Sequence, residues 1–371
     1  MREGWENKKL VECTQILDCQ RKPVTKKDRK VGVYPYYGAS GIQDYVDKYI
    51  FVGRYVLVGE DGAKWGAFDK SAFIIDGKTW VNNHAHVLKP FEPLVDSYLT
   101  YYLNHSDLNG FISGAIVRKL TQSSLKNIKI PLPPKSTQLA IVSELDKINE
   151  LIRLKKEQLK DFDNLAQSIF YEMFGDPVEN EKGWEVKKLN DISQEIGDGL
   201  HGTPEYSDVD TGCFFINGNN LENGIIVIKD NTKTVSEKTK AKHYIEMDDF
   251  TILVSINGTL GKVAFYRGDN VILGKSACYI KLTSYNDKKY IYELLKSEYF
   301  KRYAETECTG TTIRNVSLKS MRNFPIPLPP LPLQHLFAQR IEQIEQQKAE
   351  VQKAITDLET LLASRMQYWF E

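Results

Sequence analysis

The sequence predicts an α+β fold with two β-rich domains joined by two long antiparallel coiled-coil helices, arranged as a pseudo-two-fold internal repeat. Three observations predict this architecture. Short motifs recur in the same order in both halves of the chain, each half carries a series of strand-like apolar segments, and each half closes with a helical heptad pattern. A length of 371 residues agrees with two or three domains.

The repeat is visible as two pairs of matching motifs. Gly4-Trp5-Glu6 recurs as Gly183-Trp184-Glu185 at an offset of 179 residues, and Pro131-Leu132-Pro133-Pro134 recurs as Pro327-Leu328-Pro329-Pro330 at an offset of 196. The second copy therefore carries 17 additional residues, all within its globular part.

Each globular part is predicted to consist mainly of β-strands that end at a proline-rich segment. Runs such as Tyr55–Val58 combine β-branched and aromatic residues. The segments Ile130–Pro134 and Ile326–Pro330 end a strand and precede a helix, because proline fixes φ and lacks an amide donor. The predicted boundaries are residues 1–135 for the first domain, 136–175 for the first helix, 176–330 for a hinge with the second domain, and 331–371 for the second helix.

Both helices carry an apolar pattern with alternating steps of four and three residues, which is typical of a coiled-coil seam. The seam positions are Ile141, Leu145, Ile148, Ile152, Lys155, Leu159, Phe162, Ala166, Ile169 and Met173, and, 196 residues later, Phe337, Ile341, Ile344, Lys348, Val351, Ile355, Leu358, Leu362, Arg365 and Trp369. The alternative is that each helix merely covers its own domain, but a strict pattern over 33 residues favours the coiled coil. Antiparallel pairing would place the two domains at opposite ends of a rod.

Composition and charge exclude several classes of protein. A hydrophobic content of 42% excludes global disorder, and the chain lacks the run of about 20 apolar residues that a membrane span needs. The five cysteines form no C-x-x-C pair, which argues against a disulfide framework or a zinc ribbon. The polar N-terminal sequence lacks the pattern of a signal peptide, so a cytoplasmic protein is expected. The formal net charge is zero, but residues 1–135 hold 20 basic and 14 acidic side chains.

Motifs for catalysis or cofactor binding are missing from the sequence. Gly258–Lys262 and Gly268–Ser276 lack P-loop spacing, and neither a Rossmann G-x-G-x-x-G nor a G-x-S-x-G motif occurs. The Asn-Pro-Pro-Tyr motif of amino-methyltransferases is also missing. His84 and His86 would share one face of a strand, where structural or DNA-facing roles are favoured over zinc binding. The sequence therefore predicts neither a catalytic residue nor a metal site.

The order of the motifs resembles that of specificity subunits of type I restriction-modification systems over essentially the whole chain. In the first half the resemblance rests on Gly4-Trp5-Glu6, Tyr36–Gly41, Gly59–Ala63, Asn82-Asn83-His84 and Ile130–Pro134, followed by the hinge Met173–Pro177. In the second half it rests on Gly199–Pro204, Ile256-Asn257-Gly258, Gly274-Lys275 and Ile326–Pro330.

The resemblance implies a non-catalytic subunit whose two target recognition domains each read one half of a bipartite sequence in double-stranded DNA. It also implies that the helical rod sets the spacing between the half-sites and docks two methyltransferase subunits. S-adenosylmethionine, ATP and Mg²⁺ would be bound by partner subunits, which include motor and endonuclease subunits, and the complex would methylate adenine and cleave DNA. Because the two domains differ in sequence and length, the target would be asymmetric.

Two other functions stay open. The chain could be the recognition region of a fused restriction enzyme, although 371 residues contain no nuclease or methyltransferase motif. It could also be a coiled-coil scaffold with β-rich domains that bind sugars or peptides.

In the first domain the candidate DNA-binding residues combine positive charge, aromatic rings and amides. Lysine and arginine neutralise phosphates, and asparagine pairs with the edge of adenine. The candidates are Lys22, Lys26, Lys27, Arg29, Lys30, Tyr36, Tyr37, Ser40, Lys64, Asn82, Asn83, His84 and Arg118. The alternatives are a solvated loop for the basic run, a core position for Tyr36, a turn for Asn82 and Asn83, and a salt bridge for Arg118.

The second domain carries a comparable set of candidates. They are His201, Thr203, Asn217, Asn219, Asn220, Asn257, Lys262, Lys275 and Arg314. Gly114 and Arg118 recur as Gly310 and Arg314, which suits a phosphate contact common to both domains. Turn formation is an equally good explanation for the asparagine-rich and glycine-rich segments.

Large apolar residues close both helices and suggest a surface for a partner. The candidates are Ile169, Phe170, Met173 and Phe174 on the first helix and Met366, Tyr368, Trp369 and Phe370 on the second. Exposed apolar clusters of this size usually mark interfaces, and two equivalent clusters predict two copies of one partner. The alternative is that each cluster packs on the neighbouring domain.

Overall fold

The computed structural model describes residues 5–308 and 314–371 and divides the chain into two compact units. Gly4 and Gly310 of the repeated motifs lie outside the described residues. One unit holds the chain up to Leu159 together with Glu350–Glu371, and the other holds Lys160–Ala349. The predicted boundaries separate the helices from the domains. In the structure, each compact unit combines one β-rich domain with one part of each long helix.

The first domain (residues 5–132) consists mainly of short strands. Its elements and the helix that follows it are β1 (Glu6–Lys9), α1 (Leu10–Cys13), β2 (Thr14–Ile16), β3 (Val31–Gly38), β4 (Gly41–Val46), β5 (Phe51–Val52), β6 (Tyr55–Gly59), β7 (Ala72–Ile75), β8 (Lys78–Val81), β9 (Ala85–Pro90), α2 (Asp96–His105), β10 (Ile112–Ser113), β11 (Lys119–Leu120), α3 (Gln122–Lys126), β12 (Lys129–Leu132) and α4 (Lys135–Phe174).

The second domain (described residues between 184 and 328) follows a similar order. Its elements and the final helix are β13 (Glu185–Lys188), β14 (Ser193–Asp198), β15 (Phe214–Ile216), β16 (Leu221–Glu222), β17 (Ile225–Ile226), α5 (Glu237–His243), β18 (Thr251–Ser255), β19 (Val263–Phe265), β20 (Val271–Leu273), β21 (Ala277–Leu282), α6 (Lys288–Lys296), α7 (Glu298–Glu307), α8 (Leu318–Asn323), β22 (Pro325–Leu328) and α9 (Leu331–Phe370).

The repeat extends to the sheet topology. The antiparallel sheet β2-β9-β6-β7 of the first domain has its counterpart in β14-β21-β18-β19 of the second, and the strand pair β1-β12 corresponds to β13-β22. The domains differ in their other strands. The first has a mixed sheet, β4-β3-β8-β5, whereas the second has the separate pairs β15-β20 and β16-β17.

The proline-rich segments form strands rather than only ending them. Pro131 lies within β12 and pairs with Asn7 of β1 in a two-stranded sheet, where the missing amide donor can face away from the partner strand. The buried Gln138 then links this strand to the helix. Its Nε2 donates to the carbonyl of Pro133 at 2.9 Å, and its Oε1 accepts from the backbone N–H of Val95 at 2.8 Å.

Gln334 repeats this arrangement in the second domain. It is buried and donates to the carbonyl of Pro329 at 2.8 Å, while its Oε1 accepts from the backbone N–H of Asp287 at 3.0 Å. The spacing between the prolines and the glutamine thus recurs because one amide side chain satisfies two buried backbone groups.

The long helices pair antiparallel, as the seam predicted. In the first unit, Glu144 accepts a hydrogen bond from Trp369 at 3.0 Å, and Lys156 lies 2.7 Å from Glu359. In the second unit, the rings of Phe170 and Phe337 have centroids 5.7 Å apart. Moving forward along α4 therefore means moving backward along α9, and the apolar seam residues Ile141, Leu145, Ile341 and Ile344 are buried.

The expected apolar surfaces at the helix ends are not exposed, which corrects the prediction. Phe170, Met173 and Phe174 are buried in the core of the second unit, with Ile169 packed against it. Met366 is buried in the core of the first unit, with Trp369 and Phe370 packed against it, and only Tyr368 is mainly exposed in this set of eight. Phe170 and Phe174 pack against Tyr290 of α6, and Phe370 packs against Tyr102 of α2, which removes their apolar area from water.

None of the helices in the described part of the chain has the length and apolar content that crossing a lipid bilayer requires.

Candidate nucleic-acid interface

The basic segment of the first domain presents lysines to solvent but holds its arginine inside. Lys22, Lys26, Lys27 and Lys30 are exposed. Arg29 instead lies with its guanidinium 4.2 Å from the ring centroid of Tyr36 and 3.2 Å from Asp44. The four lysines can contact phosphates, whereas Arg29 stabilises the loop that carries them.

The tyrosines behind this loop contribute to packing. Tyr36 is only 1% exposed, and its hydroxyl accepts the backbone N–H of Val24 at 3.0 Å, so its predicted place in a DNA groove is wrong and its alternative core position is the observed one. Tyr37 is half-buried against Phe73, with ring centroids 5.9 Å apart. Ser40, at the turn between β3 and β4, is exposed.

The Asn82-Asn83-His84 motif contains one buried structural residue and two exposed residues. Asn82 is 2% exposed and holds the turn, because its Oδ1 accepts the backbone N–H of His84 at 2.8 Å. It therefore does not face DNA, in contrast to the prediction. Asn83 and His84 are exposed, and His84 pairs with Asp61. Lys64 is exposed on the adjacent loop.

A buried charged network lies beneath this surface. Asp18 and Glu60 are the buried acids, and Arg21 contacts both, at 3.4 Å and 2.5 Å. His86 is fully buried and uses both ring nitrogens, with Nδ1 2.6 Å from Asp18 and Nε2 2.7 Å from the carbonyl of Leu120. The network joins β9 to the loops that follow β2 and β6.

Hydrogen bonds within the network lower the pKa of both buried carboxyl groups. Burial by itself would raise the pKa of Asp18, but hydrogen bonds from His86, Gln122 and the backbone of Val87 lower that pKa on balance. Burial would likewise raise the pKa of Glu60, and hydrogen bonds from Lys119 and Arg21 lower it.

Three residues of this network lie close enough together to resemble a metal site. One ligand atom each from Asp18, Glu60 and His86 lies within 4.8 Å of the others. Lys119 lies 2.8 Å from Glu60, and Arg21 contacts both carboxylates, so the negative charge is already balanced by side chains. Both ring nitrogens of His86 are also engaged, and its role here is structural.

Arg118 and Arg314 occupy equivalent, exposed positions. Arg118 donates to Asn109 at 2.6 Å, and Arg314 forms an ion pair with Glu305 at 2.9 Å. The partners are themselves offset by 196 residues. The salt-bridge alternative is therefore observed for Arg314, and the exposure of both guanidinium groups keeps them accessible to a phosphate.

In the second domain an open polar cavity of about 400 Å³ gathers several candidates. Its lining residues are Tyr206, Phe215, Asn217, Asn219, Asn220, Lys229, Asn231, Thr232, Lys233 and Lys262. The ring of Tyr206 stands edge-on to Phe215 and lies 4.7 Å from the ammonium of Lys233. The cavity thus combines aromatic surface, amides and positive charge, a combination suited to nucleic acid.

Two of the asparagines that line this cavity use their side chains for internal hydrogen bonds. Asn220 is 7% exposed and donates to the carbonyl of Val227 at 2.9 Å, and Asn217 accepts from Ser276 at 3.0 Å. The alternative role in a turn is observed for both, and the base contact predicted for Asn217 stays a prediction because this residue is half-buried in the cavity wall. Asn219 is exposed, and Lys262 is half-buried with its ammonium 3.7 Å from Glu222.

The other candidates of the second domain lie on loops. His201, Thr203 and Lys275 are exposed, and His201 contacts Asp198 at 2.8 Å. Asn257 is half-buried and forms a backbone bridge with Asn315.

Sequence reasoning missed six residues of the cavity wall. They are Tyr206, Phe215, Lys229, Asn231, Thr232 and Lys233. The short run from Lys229 to Lys233 has the same mixture of lysine and asparagine as the predicted sites, and this composition was the available signal.

A sequence model of the type I restriction modification DNA specificity domain matches residues 2–161 and 181–360, which make up most of the chain. The chain belongs to this family. Its two matches coincide with the two halves of the internal repeat, so this specificity protein carries the family domain twice.

Individual relatives agree with the family assignment. A candidate type I restriction enzyme specificity subunit of Haemophilus influenzae is 41% identical over 146 residues, which cover 39% of this chain and 38% of that protein. The MjaVIII type I specificity subunit of Methanocaldococcus jannaschii is 22% identical over 393 aligned positions, which cover 97% of this chain and 92% of the relative.

Two solved structures share the fold of this specificity protein. The type I restriction-modification S subunit of M. genitalium superposes with a TM-score of 0.54 and 15% identity, over 99% of this chain and 96% of that one. A chain from a structural study of type I system assembly and conformational transition gives 0.60 and 18%, over 100% and 98%. At these identities the likeness concerns the fold alone.

Proposed function

We propose that this specificity subunit is the non-catalytic DNA-reading component of a type I restriction-modification complex, and that each domain reads one half of a bipartite, asymmetric target. The observation that carries the proposal is the repetition of one sheet topology beneath two different surfaces. The first surface has exposed lysines next to Asn83 and His84, and the second has the cavity beside Tyr206. A shared scaffold with different loops is suited to reading two different sequences.

The paired helices are the spacer and the docking platform in this proposal. Leu165 and Leu361 are offset by 196 residues, and each is 45% exposed. Two equivalent apolar positions support the binding of two copies of one methyltransferase. They replace the buried clusters at the helix ends as the candidate contacts.

The partner subunits supply the chemistry. S-adenosylmethionine is bound by the methyltransferase subunits, and ATP and Mg²⁺ by the motor and endonuclease subunits. This chain contributes lysines for phosphates and amides for base edges, which are recognition groups.

Exchange of one domain tests the proposal. Residues 183–330 would be replaced by the equivalent segment of another family member with a different target, and methylated adenines would be mapped in cells that also express the methyltransferase. We expect one half of the methylated sequence to change, with the other half and the gap unchanged. A change in both halves, or in neither, contradicts the proposal.

A further inference from the structure

Gln43 in the first domain occupies an irregular place in its sheet. Tyr36 pairs with Asp44 and the next residue, Tyr37, pairs with Ile42, so Gln43 is the extra residue of a β-bulge in β4. Bulges redirect a side chain and occur next to functional sites. The side chain of Gln43 is exposed.

Hydrogen bonds determine which way the Gln43 amide points. The backbone N–H of His84 can only donate, so the Asn82 atom 2.8 Å from it is the oxygen Oδ1. The Nδ2 of Asn82 is then the donor to Gln43, at 3.1 Å, and the Gln43 atom facing it is Oε1. The Gln43 Nε2 consequently points away from Asn82 with both of its hydrogens available for a ligand.

Gly38 leaves room for the Gln43 amide in this orientation. A β-carbon at position 38 would lie 2.2 Å from Gln43 Nε2 and 2.5 Å from Cδ, so the amide rests on the bare backbone of this glycine. The surrounding surface suits DNA. Asn83 and His84 are exposed one and two residues beyond Asn82, and the exposed Lys22 is held beside it by a backbone hydrogen bond to Val81.

We propose that Gln43 is a specificity-determining residue that donates from Nε2 to the acceptor edge of a purine in the half-site read by the first domain. Asn82 is its positioning residue. In the major groove, N7 of either purine and O6 of guanine accept hydrogen bonds, which matches the donor that Gln43 presents. This inference rests on the proposed function, because it names one contact within the reading of the half-site.

Gln43→Glu is the decisive substitution, because it keeps the shape and the acceptor for Asn82 Nδ2 but replaces the outward donor by an acceptor. The new carboxylate would be repelled by N7 of either purine and by O6 of guanine, whereas cytosine offers a major-groove amino donor without an acceptor of its own beside it. We therefore expect one position of one half-site to change its preference from purine to cytosine. A single hydrogen bond discriminates by roughly 2- to 10-fold, and we expect a change of that size. The readout is the methylated sequence in cells that express the variant with its methyltransferase.

Two further variants separate this role from an effect on folding. Gly38→Ala should displace the flexible Gln43 side chain and relax the same position, because Gly38 does not have the positive φ that favours glycine. Gln15→Glu is the matched control, since Gln15 is exposed on β2 of the same domain and should leave every position unchanged.

The outcomes distinguish the inference from the proposed function. An unchanged methylated sequence with Gln43→Glu overturns the inference, as does an unchanged sequence with Gly38→Ala if the first variant fails to assemble. Neither result affects the exchange of residues 183–330, which tests half-site reading independently. If that exchange alters neither half-site, the proposed function fails instead.

Discussion

The charged residues of the buried network in the first domain neutralise one another. Asp18 accepts hydrogen bonds from His86 at 2.6 Å, Gln122 at 3.0 Å and the backbone of Val87 at 3.0 Å. Removal of one member leaves the charges of the others incompletely compensated, which is much less favourable than the intact set. The network thereby stabilises the structure beneath the exposed residues Asn83 and His84.

Asp18→Asn should destabilise the first domain. The substitution keeps the shape but removes the carboxylate that lies 2.6 Å from His86, and breaking a buried pair typically lowers the free energy of unfolding by about 3–5 kcal/mol. Urea denaturation at neutral pH measures the loss. Asp47→Asn is the control, since Asp47 is exposed and should change stability by less than about 0.5 kcal/mol.

The same variant should lose part of the acid sensitivity of the domain. Because the pKa of Asp18 is lower in the folded state, its carboxylate stabilises the fold above the unfolded pKa of about 4, and this contribution disappears as pH falls through the folded pKa. Glu60 acts in the same direction. The stability difference between wild type and Asp18→Asn should therefore shrink from pH 7 to pH 3, and a constant difference would contradict this assignment.

The long helices combine an apolar seam with two half-buried lysines, one in each helix. Lys155 contacts Gln158 at 3.0 Å, and Lys348 lies 3.0 Å from both Asp163 and Glu345. Of these contacts, the one between Lys348 and Asp163 joins the two helices, and a polar contact of this kind favours one register of the seam. Because the seam repeats every seven residues, both helices can be shortened by one heptad without loss of pairing.

Removing one heptad from each helix should shorten the preferred gap between half-sites. Seven residues correspond to about 10 Å of helix, and base pairs rise about 3.4 Å, so the gap should fall by about three base pairs. Residues 152–158 and 353–359 are a matched pair for this deletion. Methylation of synthetic targets with graded gaps reports the result, and an unchanged optimum would reject the spacer role.

At the scale of the whole molecule, the proposal requires one specificity subunit to bind two methyltransferases. Leu165 and Leu361 are equivalent and exposed, whereas the seam residues Ile344 and Ile355 are buried. Replacing an exposed leucine by a charged residue should impair an interface without disturbing the core.

Native mass spectrometry of co-expressed proteins tests this stoichiometry. Wild type should carry two methyltransferase copies, Leu165→Glu one, and the double variant with Leu361→Glu none. Tyr285→Glu, at a position 80% exposed in the second domain, should retain two. Two copies bound to the double variant would exclude these leucines as contacts, and a single copy on wild type would contradict the proposed complex.

The sequence by itself determined the family, the repeat, the helical seam and the character of the fold. These properties are carried by local order along the chain. The seam is a period of residues within one helix, and Ile141 and Ile341 are buried where that period places them. The proline-rich segments were also found, although their membership of β12 and β22 depends on pairing with distant strands.

Only the tertiary structure decided which polar and aromatic residues face outward. Asn82 and Tyr36 are of residue types typical of a binding surface, but both are buried. Gln43 belongs to no motif in the sequence and is exposed on a bulge. The helix-end aromatics likewise pack into the cores. The physical reason is that burial is set by contacts between strands and helices far apart in the chain, and a one-residue shift in sheet register moves a side chain to the opposite face.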